Sequence, residues 1–80
     1  MKVGVRVMPR IEVLDSQGRA VEGTLRSHDF NLNSCRVGKY VVLELATNEE
    51  KTALAEAKKM AEFVLHNPLI ETFELEVLKT

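Results

Sequence analysis

The fold turns on the stretch Val13-Leu14-Asp15-Ser16-Gln17-Gly18-Arg19-Ala20-Val21. Ahead of it Ile11, Val13 and Leu14 close an extended run. Behind it Ala20, Val21 and Leu25 begin a helical spacing. Asp15 and Ser16, between the two patterns, both carry a side-chain oxygen that can cap the free N–H groups of a first helical turn. The stretch therefore reads as a strand-to-helix corner. The helix it opens is expected to run from about Ser16 or Gln17 to Ser27. Gly18 and Gly23 each weaken it by roughly 1 kcal/mol relative to alanine. In the plainer and preferred reading, Gly23 lies against a sheet and Gly18 sits in a loose first turn. In the functional reading, a partner's backbone or a phosphate comes close to Gly18.

Toward the N-terminus, Val3, Val5 and Val7 alternate with Lys2, Gly4 and Arg6, the pattern of a half-buried strand. Pro9 lacks an N–H, so it interrupts that strand or sits at an edge. Ile11, Val13 and Leu14 resume as a short extended piece. Toward the C-terminus, His28-Asp29-Phe30 ends the helix, with His28 near the negative end of the helix dipole. No serine or cysteine is placed to make His28 and Asp29 part of a catalytic triad.

Ser34 to Leu45 is the longest extended segment. Val37, Val41, Leu43 and Leu45 share one parity, while Tyr40 and Val42 occupy the other. Apolar residues on both faces imply that both faces are covered. Two helices cannot easily do that, so a second subunit is the economical cover. One long strand bent at Gly38 is preferred, with a hairpin turn at Gly38-Lys39 as the alternative. Thr47 and Glu50 have capping-box spacing for a second helix. In that helix Ala53, Leu54, Ala57, Met60, Ala61 and Val64 form the buried stripe, and Phe63 falls off it. Asn67-Pro68 stops the helix, and Phe73, Leu75 and Val77 alternate in a last strand. The expectation is one α+β domain over residues 1–80. It is a two-layer sandwich in β-α-β-α-β order with a long bent central strand, related to ferredoxin-like folds and oligomerising through its sheet.

Composition narrows the function. A chain of 80 residues buries only ~60% of its unfolded surface, and small domains commonly gain stability by associating. Cys35 is the only cysteine, which excludes an internal disulfide and fits a reducing compartment. Cys35, His28 and His66 lack the paired spacing of a zinc site. Eleven Lys plus Arg against twelve Asp plus Glu, interspersed, give a net charge of −1. Such a balance argues against a nucleic-acid partner. No apolar run approaches the ~20 residues of a membrane span, and the first residues alternate at once rather than forming a signal peptide. The expected setting is the cytoplasm, with no nucleic-acid or membrane partner.

Catalytic motifs are missing. Arg36-Val37-Gly38-Lys39-Tyr40 is no P-loop, because the upstream glycine is absent and Tyr40 stands where Ser or Thr would hold magnesium. No catalytic residue, resident cofactor or metal is expected in this chain.

Three stretches carry a resemblance. Val13-Leu14-Asp15-Ser16-Gln17-Gly18-Arg19-Ala20-Val21 resembles V-L-D-P-Q-G-x-A-V, the signature of the PurS family. Arg36-Val37-Gly38-Lys39 resembles its V-R-x-G-K segment. Asn67-Pro68-Leu69-Ile70-Glu71 resembles its N-P-V-I-E segment. Ser16 departs from the usual Pro, and His28-Asp29-Phe30 stands where Leu-Gly-Phe is common. The resemblance implies the small subunit of phosphoribosylformylglycinamidine synthase, the ATP- and glutamine-dependent ligase step of purine synthesis. Such a subunit would be a non-catalytic dimer or tetramer. It would hold a glutaminase subunit on a large synthetase subunit, which uses ATP and magnesium, so that ammonia passes between them. The interface residues it implies are Asp15, Gln17, Gly18, Arg36, Gly38, Lys39, Asn67, Pro68 and Glu71. Tyr40 and Val42 join them from the two-sided strand. A plainer role exists for several: Gly18 and Pro68 shape backbone, and Asp15 caps. The alternative from a different class is an ACT-like regulatory domain that binds a small molecule.

Overall fold

A computed structural model describes residues 1–79. Its elements follow the expected order. They are strand β1 (Lys2–Pro9), helix α1 (Ser16–Ser27), strand β2 (Lys39–Glu44), helix α2 (Glu50–Met60) and strand β3 (Glu71–Leu78). A π-helical turn over Ala61–Leu65 continues α2. The strands form one antiparallel sheet in the order β2-β1-β3.

β1 is the centre, paired with β2 on one side and β3 on the other, and it carries the most buried residues of the three strands. Val3, Val5 and Val7 are fully buried under α2. Burial of a valine side chain is worth about 1.5–3 kcal/mol. Opposite them α2 buries Ala53, Ala57 and, in the π-helical turn, Ala61. The small alanines bring the helix close to the sheet. The sides of the core are filled by Leu43 and Val41 from β2, and by Leu75 and Phe73 from β3. The π-helical turn ends where His66 bonds the Ala61 carbonyl at 2.8 Å through Nδ1. The same imidazole meets Phe73 edge-on, with ring centroids 4.6 Å apart.

The chain departs from the expected sandwich in five places. First, the strand expected over Ser34–Leu45 is paired only from Lys39 to Glu44, and it is an edge strand. Its leading arm instead crosses to α1, held through the backbone N–H groups of Cys35 and Val37. Gly38 is thus neither a hairpin turn nor a bend within a strand. It is where the arm passes β1, so close that a Cβ there would strike the Val7 carbonyl and the Met8 sulfur. Second, Ile11 to Val13 form turns rather than an extended piece, closed by the Val13 N–H on the Arg10 carbonyl at 3.0 Å. Third, α1 stands off the sheet. α2 and the π-helical turn that continues it carry the packing on the strands, and a Cβ on Gly23 would meet nothing within 4 Å. Fourth, Glu49 rather than Thr47 is the N-cap of α2, and no side chain caps it. The Thr47 hydroxyl accepts from the Glu49 N–H at 3.1 Å instead. Fifth, the buried stripe of α2 is the alanines alone, with Leu54 at its margin. Met60 and Val64 are exposed beside Phe63.

The exit of α1 explains one departure from the family pattern. The Phe30 N–H reaches the Leu25 carbonyl and the Asp29 N–H reaches that of Arg26, both at 3.1 Å. This is a Schellman closure. It holds Asp29 at a φ of 67°, a left-handed position that glycine fills without strain.

The result is long and thin, 47 × 30 × 15 Å. Its accessible surface is 6038 Å², against about 4,850 Å² for a compact monomer of this mass.

Candidate subunit-contact surfaces

Asp15 is the hub of one end of the molecule. One carboxylate oxygen accepts from the Gly18 N–H at 2.8 Å, capping α1. The other accepts from the Val37 N–H, also at 2.8 Å. One side chain thus caps the helix and ties down the arm that leads to β2. The Gly18 N–H, then the Val37 N–H, with help from Arg36, hold the carboxyl below its ordinary value of 3.8. All three favour the charged form, since two donate to it and one is cationic.

Gly18 is buried for a reason within the chain. A Cβ there would strike the Asp15 carboxylate and lie 2.6 Å from the Cys35 carbonyl. The close backbone at Gly18 is the molecule's own arm. Two further ties fasten the same arm. The Glu22 carboxylate accepts from the Cys35 N–H at 3.1 Å. The Arg26 guanidinium donates to the Leu32 and Asn33 carbonyls at 3.0 and 3.3 Å.

The turn before β3 joins this end. The Arg10 guanidinium donates to the Pro68 carbonyl at 2.8 and 3.1 Å. Glu71 accepts from the Asn67 N–H at 2.8 Å, and the Asn67 side chain accepts from Leu69 at 3.0 Å. Arg36, an expected contact residue, donates to the Pro9 carbonyl. Gln17, Gly38, Lys39 and Glu71 line one groove with Asp15 and Ile70.

All nine residues taken from the three stretches thus converge on one corner of the fold, though they are scattered along the chain. Tyr40 and Val42 do not join them. They lie on the sheet face opposite α2, 46% and 53% exposed. There Tyr40 crosses over Gly4, whose missing side chain makes room for it, and its hydroxyl donates to Glu76. That bond to Glu76 raises the phenol above its ordinary 10.0. Arg6 lies between Glu74 and Glu76 at 3.6 and 3.5 Å.

Sequence reasoning missed Arg10, which joins β1 to the Asn67–Ile70 turn, and Glu22, which holds the arm. Neither belongs to a motif, and their partners lie far along the chain. It also missed the apolar rim of the corner. Ile11 and Leu69 are 87% and 83% exposed, and Leu14 and Ile70 are exposed beside them. An expected extended piece at Ile11–Leu14 hid that signal.

Comparison with known proteins places this geometry. The family model described as PurS, phosphoribosylformylglycinamidine (FGAM) synthase, matches residues 2–79. Phosphoribosylformylglycinamidine synthase subunit PurS of Bacillus subtilis is 36% identical over 77 residues, covering 95% of this chain and 90% of that protein. The subunit of Thermotoga maritima is 31% identical over 78 residues, covering 96% and 95%. The crystal structure of the Thermotoga maritima purS subunit superposes with a TM-score of 0.90 at 31% identity, covering 96% of this chain and 90% of that one. A chain in the structure of PurLQS from Thermotoga maritima gives 0.88 at 31% identity, covering 96% and 95%. These likenesses give the ACT-like alternative no support. The chain belongs to the PurS family, a subunit of phosphoribosylformylglycinamidine synthase in purine biosynthesis.

Proposed function

We propose that this chain is the assembly subunit of a phosphoribosylformylglycinamidine synthase, working as a homodimer or tetramer that carries the large synthetase and the glutaminase. The observation behind the reading is surface. The chain exposes 6038 Å², about 1,200 Å² more than a compact monomer of its mass. That excess is larger than the ~800 Å² each partner gives to a standard interface. Apolar side chains face outward in three places: Tyr40 and Val42 on the open sheet face, Ile11, Leu14, Leu69 and Ile70 around the corner, and Met60, Phe63 and Val64 at the end of α2. A relative is present in a structure described as PurLQS, which supports partners of that kind.

In this reading the open sheet face serves the homo-oligomer. The corner built on Asp15, Gln17, Gly18, Arg36, Gly38, Lys39, Asn67, Pro68 and Glu71 serves the other subunits. Its residues shape and fasten rather than react. ATP and magnesium belong to the synthetase subunit, and none is held by this chain. The setting is the cytoplasm, in keeping with the single unpaired Cys35. Among the described residues no helix is long and apolar enough to cross a membrane.

Co-purification with the two other subunits, in the presence of glutamine and a magnesium nucleotide, tests the reading. Leu14→Glu and Leu69→Glu each place a charge on the exposed corner and leave the core intact. Both are expected to fold and to lose capture of at least one partner. Undiminished capture by both variants would remove the corner from the account.

A further inference from the structure

Arginines gather where β1 ends. Arg6, Arg10 and Arg36 line one groove of about 340 Å³, with Met8, Ile11 and Phe73 as its apolar wall. That volume is at the small end of ligand sites. The three cations are held differently. Arg6 is matched by Glu74 and Glu76, at 3.6 and 3.5 Å. Arg10 and Arg36 are anchored on carbonyls instead, Arg10 on Pro68 and Arg36 on Pro9, the peptide just ahead of Arg10. A carbonyl fixes a guanidinium plane without neutralising it. Among the described residues no carboxylate lies within 4.0 Å of either group. Glu12 lines the same groove but is exposed to water, which screens its charge. Arg10 donates to Pro68 through Nε and Nη2, which leaves Nη1 to the groove. Arg36 donates through Nη2, which leaves Nε and Nη1.

We infer that Arg10 and Arg36 form a binding site for a dianionic phosphate group, free or carried on a small ester. The inference goes beyond assembly and does not depend on it, because the groove is complete within one chain. Two like charges held in one groove repel each other, and a dianion shared by them turns that repulsion into attraction. Guanidinium N–H groups form planar forks that match phosphate oxygens and give charge-assisted hydrogen bonds. A phosphate ester carries about −1.5 to −2 charges at neutral pH, whereas a carboxylate carries one. The phosphate is therefore the better match for two uncompensated cations. The apolar wall of Met8, Ile11 and Phe73 takes the organic part of an ester.

The test is titration of the whole chain with inorganic phosphate, glycerol 3-phosphate and acetate at constant ionic strength, followed by NMR of the backbone amides and arginine Nε–H groups. Both phosphates are expected to saturate shifts at Arg10 and Arg36 with a Kd of about 1 mM, and acetate to leave them unsaturated. A tighter ester assigns the site to a phosphate ester; an ester that binds no tighter assigns it to free phosphate. Arg36→Gln is expected to weaken binding by about 10-fold or more, through loss of one charged hydrogen-bonding partner. Arg36→Lys keeps the charge without the fork and is expected to fall between that variant and the parent. Arg19→Gln removes an equal charge outside the groove and is expected to change Kd by less than about 2-fold. Three results would each overturn the inference. One is no saturation by either phosphate at about 20 mM. Another is acetate binding as tightly as phosphate. The third is equal weakening by Arg19→Gln and Arg36→Gln, the mark of diffuse surface charge.

Discussion

The two glycines of α1 provide the sharpest test of how the corner is built, because the same substitution should act in opposite directions. Alanine in place of glycine inside a helix gains about 1 kcal/mol of propensity. At Gly23 nothing opposes that gain, since the added Cβ meets no atom within 4 Å. At Gly18 the Cβ strikes the Asp15 carboxylate and lies 2.6 Å from the Cys35 carbonyl. One obstacle is backbone and the other is the side chain that caps the helix, so neither can turn aside cheaply. Overpacking of this kind costs about 1–3 kcal/mol, which outweighs the propensity gain over most of that range. The two variants should therefore differ by about 1–3 kcal/mol. For a domain of this size 1 kcal/mol moves Tm by about 4–8 °C. Gly23→Ala is expected to melt about 4–8 °C higher than the parent, and Gly18→Ala below it. Thermal and urea unfolding followed by circular dichroism read both, at one fixed protein concentration because association shifts Tm. The gain at Gly23 reaches global stability because Asp15, Glu22 and Arg26 bind α1 to the arm that feeds β2. Equal stabilisation by the two alanines would refute the claim that Gly18 is reserved for the arm.

Three further outcomes follow from local geometry. Asp15 has a folded pKa held below 3.8, so its contribution is present above that value and is lost as pH falls through the folded value. Acid unfolding of Asp15→Asn should show a shallower pH dependence below pH ~4 than the parent, and an identical slope would contradict the two-handed cap. Tyr40 is the single tyrosine, so its ultraviolet titration should centre above 10.0, and Glu76→Gln should bring it down; no movement would break the Tyr40–Glu76 bond as described. Asp29→Gly relieves a left-handed residue at φ 67° and should raise stability by about 0.5–1 kcal/mol in urea unfolding, whereas a loss would mean that the Asp29 side chain supports the turn.

Much of this was legible in the sequence where a pattern is local. The alternation of Val3, Val5 and Val7 identified the buried strand, and Asp15 ahead of a helical spacing identified the start of α1. Two-sided apolarity at Tyr40 and Val42 implies a sheet face covered by a second subunit, and in the single chain that face is open. The readings that failed were those set by distant contacts. The arm before β2 reads as strand, but its backbone N–H groups bond to Asp15 at the cap of α1 and to Glu22 within it rather than to a strand. Alternation does not say which partner an extended segment will find. Gly18 and Gly23 look alike in sequence, yet only one lies under the arm. The same limit hid Arg10, whose carbonyl partner on Pro68 is 58 positions away. The nine residues of the corner came from the wording of three motifs; no periodicity would have brought them together.

The most direct test of the assembly role is glutamine-dependent turnover by purified synthetase and glutaminase subunits, measured with and without this chain. The account predicts no turnover by the chain alone, little by the other two subunits, and recovery when all three are mixed. Full glutamine-dependent activity in the absence of this chain would contradict it.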